Sequence, residues 1–484
     1  MHPPFIQRPG SKIAGRNREQ GVTLALVAIG IVSVIAMAAL SIDVGTLYEA
    51  NAEAQRAADA AALAAARVLS ASGLTGDPSN TSTSGSWSTI CTMATQTATA
   101  VANQNLVGGA APSNVSVSFI SGDQQSDCTA SGTAVSFGWN PTVTVQVKQA
   151  SLSTYFARIW GRTGNSVSAT ATAEAFNPSN SGVTLPLQPR CVKPWVVPNY
   201  EPWINSNTCT TATPCTAFVD ATTTGAIQNP GVANDTKDAV IGQTFDLVPA
   251  CKFKNSTCVL GRSGGPLRPV PNVSGGQHIP FRPNLEYLPG SVPATSSAVP
   301  AAAGACSGPS GQYADAIAGC DQSTQYQCGA QNANSVDLSE NPGPQDTTNG
   351  VECLIHQGGG NGPDSLNING ALTPAAPFYP FQILAGTNNP VVLAGAASSG
   401  DVVTSSNSIV SLPIYDSSPP GPVFTSGNTT NVTIIGFLQV FINKVDNFGN
   451  VNVTVMNVSG CGNNASGTAL TGTSPVPVRL ITPP

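Results

Sequence analysis

The chain has 484 residues, of which only 9% are charged, with a formal net charge of −6. That balance offers no basic field for nucleic acid, and a hydrophobic content of 41% argues against a wholly disordered chain. Abundant Gly (48) and Pro (39), with Ser, Thr and Asn filling much of the rest, describe a surface solvated by hydroxyls and amides, as in many exported β-rich proteins.

Residues 1–20 carry Pro3, Pro4, Pro9 and Gly10 and read as a disordered cytoplasmic tail. Gly21 to Ile42 follows without a charge, about what a helix needs to cross the ~30 Å hydrocarbon layer. Arg8, Lys12, Arg16 and Arg18 precede the run, whereas Asp43, Glu49 and Glu53 come before the first basic residue beyond it, Arg56. The asymmetry predicts a cytoplasmic N-terminus and an extracytoplasmic remainder. Ala36-Met37-Ala38 offers a signal-peptidase-like site, but the run exceeds the roughly 7–15 residues of a cleaved apolar core. The expectation is a retained, single-pass anchor.

From Asp43 to about Leu69 the residues are strong helix formers without proline, and Val44, Leu47, Ala54, Ala58, Ala61, Ala65 and Leu69 recur at three-to-four-residue spacing. This juxtamembrane helix (43–70) is expected to lie on its own downstream domain, with packing against a helix of another molecule as the alternative. A polar linker (71–85) leads to an α+β unit (86–177): a helix from Trp87 to Leu106, strands at Val115–Phe119 and Val143–Val147, a short helix at Leu152–Gly161, and a strand at Val167–Ala173. Residues 178–360 read as a cysteine-rich, loop-rich region, interrupted at 291–304 and 341–350. Residues 361–484 return to β-branched runs at Ser408–Tyr415, Val432–Ile442, Val451–Val458 and Val476–Ile481, with a hairpin through Asp446–Gly449. A β-sandwich or irregular β domain is expected there. The fold class is thus an N-terminal transmembrane and alanine-rich helix, a small α+β unit, and a β-rich, disulfide-containing extracytoplasmic region.

Twelve cysteines follow the apolar run: Cys91, Cys128, Cys191, Cys209, Cys215, Cys251, Cys258, Cys306, Cys320, Cys328, Cys353 and Cys461. An even count on the outer side favours disulfides over metal or redox chemistry. Pairing is not fixed by sequence; Cys91–Cys128 and the local pairs Cys209–Cys215, Cys251–Cys258 and Cys320–Cys328 are the bridges to test.

Catalytic signals are weak. His278 and His356 each sit alone near glycines, no Gly-x-Ser-x-Gly elbow occurs, and Gly358–Gly360 lacks the lysine of a phosphate loop. Asp220, Asp235, Asp238 and Asp246 show no calcium-loop spacing. The expectation is no enzyme, no cofactor, no bound metal and no small-molecule substrate. An anchored, exported hydrolase is the enzymatic alternative.

Arg16 to Ala66, with its basic leader, "GVTLALVAI…AALSIDVGTLYEA" and "AQRAADAAALAAA", resembles the TadE/TadG-like module of Flp (tight adherence) pilus-assembly proteins. "STYFARIWGRTGNSVSATATAEA" extends the resemblance to about residue 177. It implies an inner-membrane anchor, other pilus-assembly proteins as partners beside the lipid bilayer, and a part in pilus biogenesis and surface attachment. It carries no catalytic residues. Some relatives bear a metal-dependent adhesion motif, Asp-x-Ser-x-Ser, which Asp337–Asn341 and Asp416–Pro420 both miss. A minor pilin-like subunit processed after Gly21 is the other alternative, but Leu26 stands where a pilin carries its intramembrane glutamate.

Overall fold

The computed structural model describes residues 17–76, 84–120, 128, 140–156, 164–180, 184–202, 216–222, 224–231, 239–254, 257–260, 284–292, 311–320, 326–329, 334–338, 343–357, 362–366, 381–418 and 421–481. Helix α1 runs from Asn17 to Ala71, 55 residues without an interruption. At ~1.5 Å per residue it is about 80 Å long. It stops where Gly73 takes φ 79, the left-handed conformation glycine adopts at a helix end. Helix α2 (Ser84–Gln104) buries Ile90, Cys91, Ala94, Ala98 and Ala102 along one side.

Alternation in the sequence becomes alternation in burial. Strands β1 (Asn114–Ile120), β2 (Thr142–Leu152) and β3 (Asn165–Ala175) form a sheet in that order, closed at its far edge by a strand from the end of the chain, Val478–Ile481. Val143, Val145 and Val147 of β2 are fully buried, as are Ala173 and Ala175 of β3. The helix expected over 152–161 is not seen in its described part: Leu152 ends β2, and residues 157–163 lie outside the described set.

Contacts divide the chain into two units: residues 1–58, 102–116 and 146–170, and residues 59–101, 117–145 and 171–484. The larger unit contains a closed six-stranded barrel. Its strands are β4 (Trp195–Pro198), β5 (Thr244–Pro249), β6 (Asn284–Pro289), β7 (Ile409–Tyr415), β8 (Ile434–Val445) and β9 (Val451–Gly460), in the order β7-β8-β9-β5-β6-β4. β5–β6 and β4–β7 pair parallel, and the remaining neighbours antiparallel. This corrects the expected carboxyl-terminal sandwich, because β7–β9 close with three strands from the cysteine-rich region. Alternate residues of all six strands, among them Trp195, Phe245, Leu285, Leu412, Leu438 and Val453, join one apolar cluster.

Every residue of β9 is buried, although Asn452, Thr454, Asn457 and Ser459 are polar. The polar side is covered rather than solvated. Asn457 Nδ2 donates to Ser70 O at 3.0 Å and to Thr75 Oγ1 at 2.9 Å, and Asn177 Nδ2 donates to Val458 O at 2.9 Å. Leu74–Gly76, inside the segment expected as a linker, is therefore a buried 3-10 turn. The hairpin from β8 to β9 turns as expected: Asp446 Oδ1 accepts the N–H groups of Phe448 and Asn450, and Gly449 takes φ 75.

Pro344–Leu354, partly expected as a loop, is a helix, α4. Pro344 at its first position and the Asp346 carboxylate, which accepts the Gly343 N–H at 2.6 Å, start it.

Candidate functional site: the Asp43 junction

α1 changes character along its length. Val22, Leu24, Leu26, Ile29, Val32 and Ile35 are all more than half exposed. Among the described residues α1 is the helix long and apolar enough to cross a membrane, and only 6% of its most apolar stretch is buried, unlike the core helix of a soluble protein. Farther along, Ala39, Asp43, Ala50, Ala54, Ala57, Ala58, Ala61 and Ala65 are buried and fall on one face of the helix. Alanine lets neighbouring backbone approach the helix closely.

The junction is held by acids on that helix. Asp43, 4% exposed, accepts the Tyr155 N–H on Oδ1 at 2.9 Å and the Phe156 N–H on Oδ2 at 3.1 Å. Hydrogen bonds to an ionised acceptor are about twice as strong as neutral ones, which offsets the burial of this charge. Ten residues on, Glu53 Oε2 accepts the Gly108 N–H at 2.7 Å. That N–H is presented by the turn Val107–Ala110, in which Gly108 and Gly109 take φ 61 and 81. Gln55 Nε2 adds a bond to Thr170 O at 3.4 Å. Three levels of α1 are thus tied within one unit. Asp43 was legible as the first acid after the apolar run, but nothing near it in sequence points to Tyr155.

Among the described residues Cys91–Cys128, as expected, Cys191–Cys320 and Cys328–Cys461 are joined. The expected Cys320–Cys328 bridge is corrected. Cys320 follows the helix α3 (Gln312–Ala318), whose final carbonyls receive the buried Lys193 ammonium: Nζ donates to Ile317 O at 2.7 Å and Gly319 O at 2.6 Å. That brings it beside Cys191. Cys328 is carried elsewhere: its N–H donates to Leu187 O, and the next residue, Gly329, donates to Ile434 O, beside the end of β9 and Cys461. Cys353 is also disulfide-bonded. Cys251 and Cys258 stand on two short paired strands, described in backbone only. Cys209, Cys215 and Cys306 lie outside the described residues.

Of the histidines and acids considered for chemistry, His278, Asp235 and Asp238 lie outside the described residues. His356 follows α4 with φ 60, and its Nε2 lies 3.2 Å from the Asn407 amide nitrogen. Burial pushes its pKa below the usual histidine value, partly opposed by Asp364. The Asp364 carboxylate itself accepts from Gly386 N, Asn389 Nδ2 and Ser406 Oγ. Asp220 and Asp416 accept N–H groups two residues ahead in turns, and buried Asp246 accepts from Asn452 Nδ2 at 2.5 Å. Among the described residues no three of His, Cys, Asp and Glu are grouped to hold a metal ion.

The apolar run, the Asp43 junction and the alanine stripe coincide with one sequence family. Residues 21–68 match the Tad family, Flp pilus-assembly TadE/G-like. The match takes in the exposed apolar part of α1 and the buried stripe up to Val68, and it does not reach residues 153–175, the expected extension of the resemblance. No curated protein matches the chain, and no solved structure matches it.

Proposed function

We propose that this chain is a non-enzymatic scaffold or interaction component of Flp/Tad-type pilus assembly and surface attachment, fixed by one helix in the bacterial inner membrane. Its N-terminus lies in the cytoplasm, and the disulfide-bonded, β-rich remainder lies outside. The observation that carries this reading is the coincidence of the Tad match over 21–68 with a helix whose large apolar side chains are exposed from Val22 to Met37 and which carries a buried stripe from Ala39 onward. A membrane-spanning stretch needs lipid around its apolar side chains, and the remainder needs an oxidising compartment for its bridges.

Cell fractionation tests the anchor through recovery in the inner-membrane fraction, and protection from added protease that is lost once the outer membrane is opened tests the orientation. Crosslinking in intact cells, followed by identification of the captured proteins, tests the assembly role. Recovery of pilus-machinery components supports it, and a soluble cytoplasmic distribution overturns it. The pilin-like alternative requires a mature N-terminus at Val22. Leu26 stands where a pilin carries its intramembrane glutamate, which speaks against ordinary filament packing.

A further inference from the structure

The membrane anchor assigned above fixes the depth of the residues tied to it, and three observations then meet at the level of Asp43. First, Ala39 lies inside the uncharged run and yet is only 5% exposed. Protein therefore covers one side of α1 about one turn before Asp43, the first charged residue after the uncharged run. Second, Met37, Leu40, Val44 and Tyr48 follow one another at three-to-four-residue spacing and are all exposed, Tyr48 by 74%. This stripe carries the bare face of the span past Asp43 without a break. Third, Tyr155 is 63% exposed while its own N–H is fixed on Asp43. Its ring therefore starts at the depth where the uncharged run ends.

Tyrosine favours the headgroup level of a membrane, where its ring meets acyl chains and its hydroxyl meets water. Tyr48 lies only ~7 Å farther along the helix than Asp43. From this placement we propose that Tyr155, Tyr48 and Val44 form an interfacial foot, seated in the lipid headgroups of the leaflet nearest the folded part. The proposal rests on the anchor reading. The occupant is lipid rather than a protein partner because the stripe is continuous with the span and the Asp43 bonds set the depth of Tyr155.

The test places the photoreactive residue p-benzoylphenylalanine singly at positions 31, 48, 106 and 155 of the full chain, in its own membrane. Irradiation is followed by mass spectrometry for lipid and protein adducts. Position 31 reports the span itself. Leu106 is a matched control: it is 53% exposed, but neighbouring Gly108 is bonded to Glu53, ~15 Å beyond Asp43 along the helix. Lipid adducts at 31, 48 and 155, with none at 106, are the expected result. Adducts at 31 alone, or protein adducts replacing lipid at 48 and 155, overturn the foot and leave the anchor standing. Equal lipid labelling at 106 also overturns it, since depth would then not matter. Absence of a lipid adduct at 31 removes the anchor and the foot together.

Discussion

The Asp43 carboxylate and the Tyr155 N–H, 112 residues apart in sequence, are joined by a hydrogen bond of 2.9 Å. A second bond from Phe156 makes the contact two-pronged. The first acid after the apolar run is therefore a fastening point, which explains why a charge is tolerated at 4% exposure.

Asp43→Ala strands two partly buried N–H groups, at a cost on the order of 1–3 kcal/mol. Hydrogen exchange at the Tyr155 and Phe156 amides reads this directly. Exchange should accelerate strongly in Asp43→Ala and less in Asp43→Asn, whose side-chain oxygen still accepts. Unchanged exchange in the alanine variant would refute the fastening role.

Non-reducing peptide mapping should recover Cys191–Cys320 and Cys328–Cys461 and no Cys320–Cys328 peptide. The second bridge spans 133 residues of sequence, so the double variant Cys328→Ala/Cys461→Ala should lose about 2–5 kcal/mol of stability. Thermal unfolding against the parent checks the loss, and a matching melting temperature would contradict it.

Gly225 takes φ 64, and a Cβ there would run into the backbone of Gly460 and Cys461. Gly225→Ala combines left-handed strain with a clash that only backbone movement relieves, so a loss of at least ~1–3 kcal/mol is expected. Denaturant midpoints measure it. A neutral result would mean that the 225 loop does not pack on the end of β9.

His356 gives a pH dependence of known sign. Its pKa is lowered in the folded chain, mainly by burial, so the unfolded chain takes up a proton first on acidification. Stability present above the ordinary histidine value of 6.5 is lost as pH falls through it, and the loss levels off once the folded ring is also protonated. Protonation also stops Nε2 from accepting the Asn407 amide proton. Asn tolerates the φ of 60 at this position. Comparison of denaturant midpoints at pH 8 and pH 5 should therefore show a larger drop in the parent than in His356→Asn. Equal drops would remove His356 from the acid response.

Local signals in the sequence carried the helices and the alternating strands. α1, α2, β1 to β3 and the β8–β9 hairpin stand close to where periodicity and turn chemistry placed them. Closure of the barrel was not legible, because β4 has four residues and its neighbours come from segments far apart in sequence. The polar face of β9 reads as solvent-facing until Ser70, Thr75 and Asn177 are seen to cover it. Cys320 and Cys328 are near neighbours in sequence, but α3 and the 326–329 turn deliver them to different strands. The junction was legible only by half: the acid shows itself after the apolar run, and its partners are backbone groups with no side-chain signature.

The buried stripe of α1 starts at Ala39 and continues through Asp43, Ala50 and Ala54, so the helix cannot spin about its own axis without tearing those contacts. It works like a keyed shaft. The azimuth of every side chain between Val22 and Ile42 is therefore set by the contacts that begin at Ala39, and whatever surrounds this stretch meets the same bare flank each time.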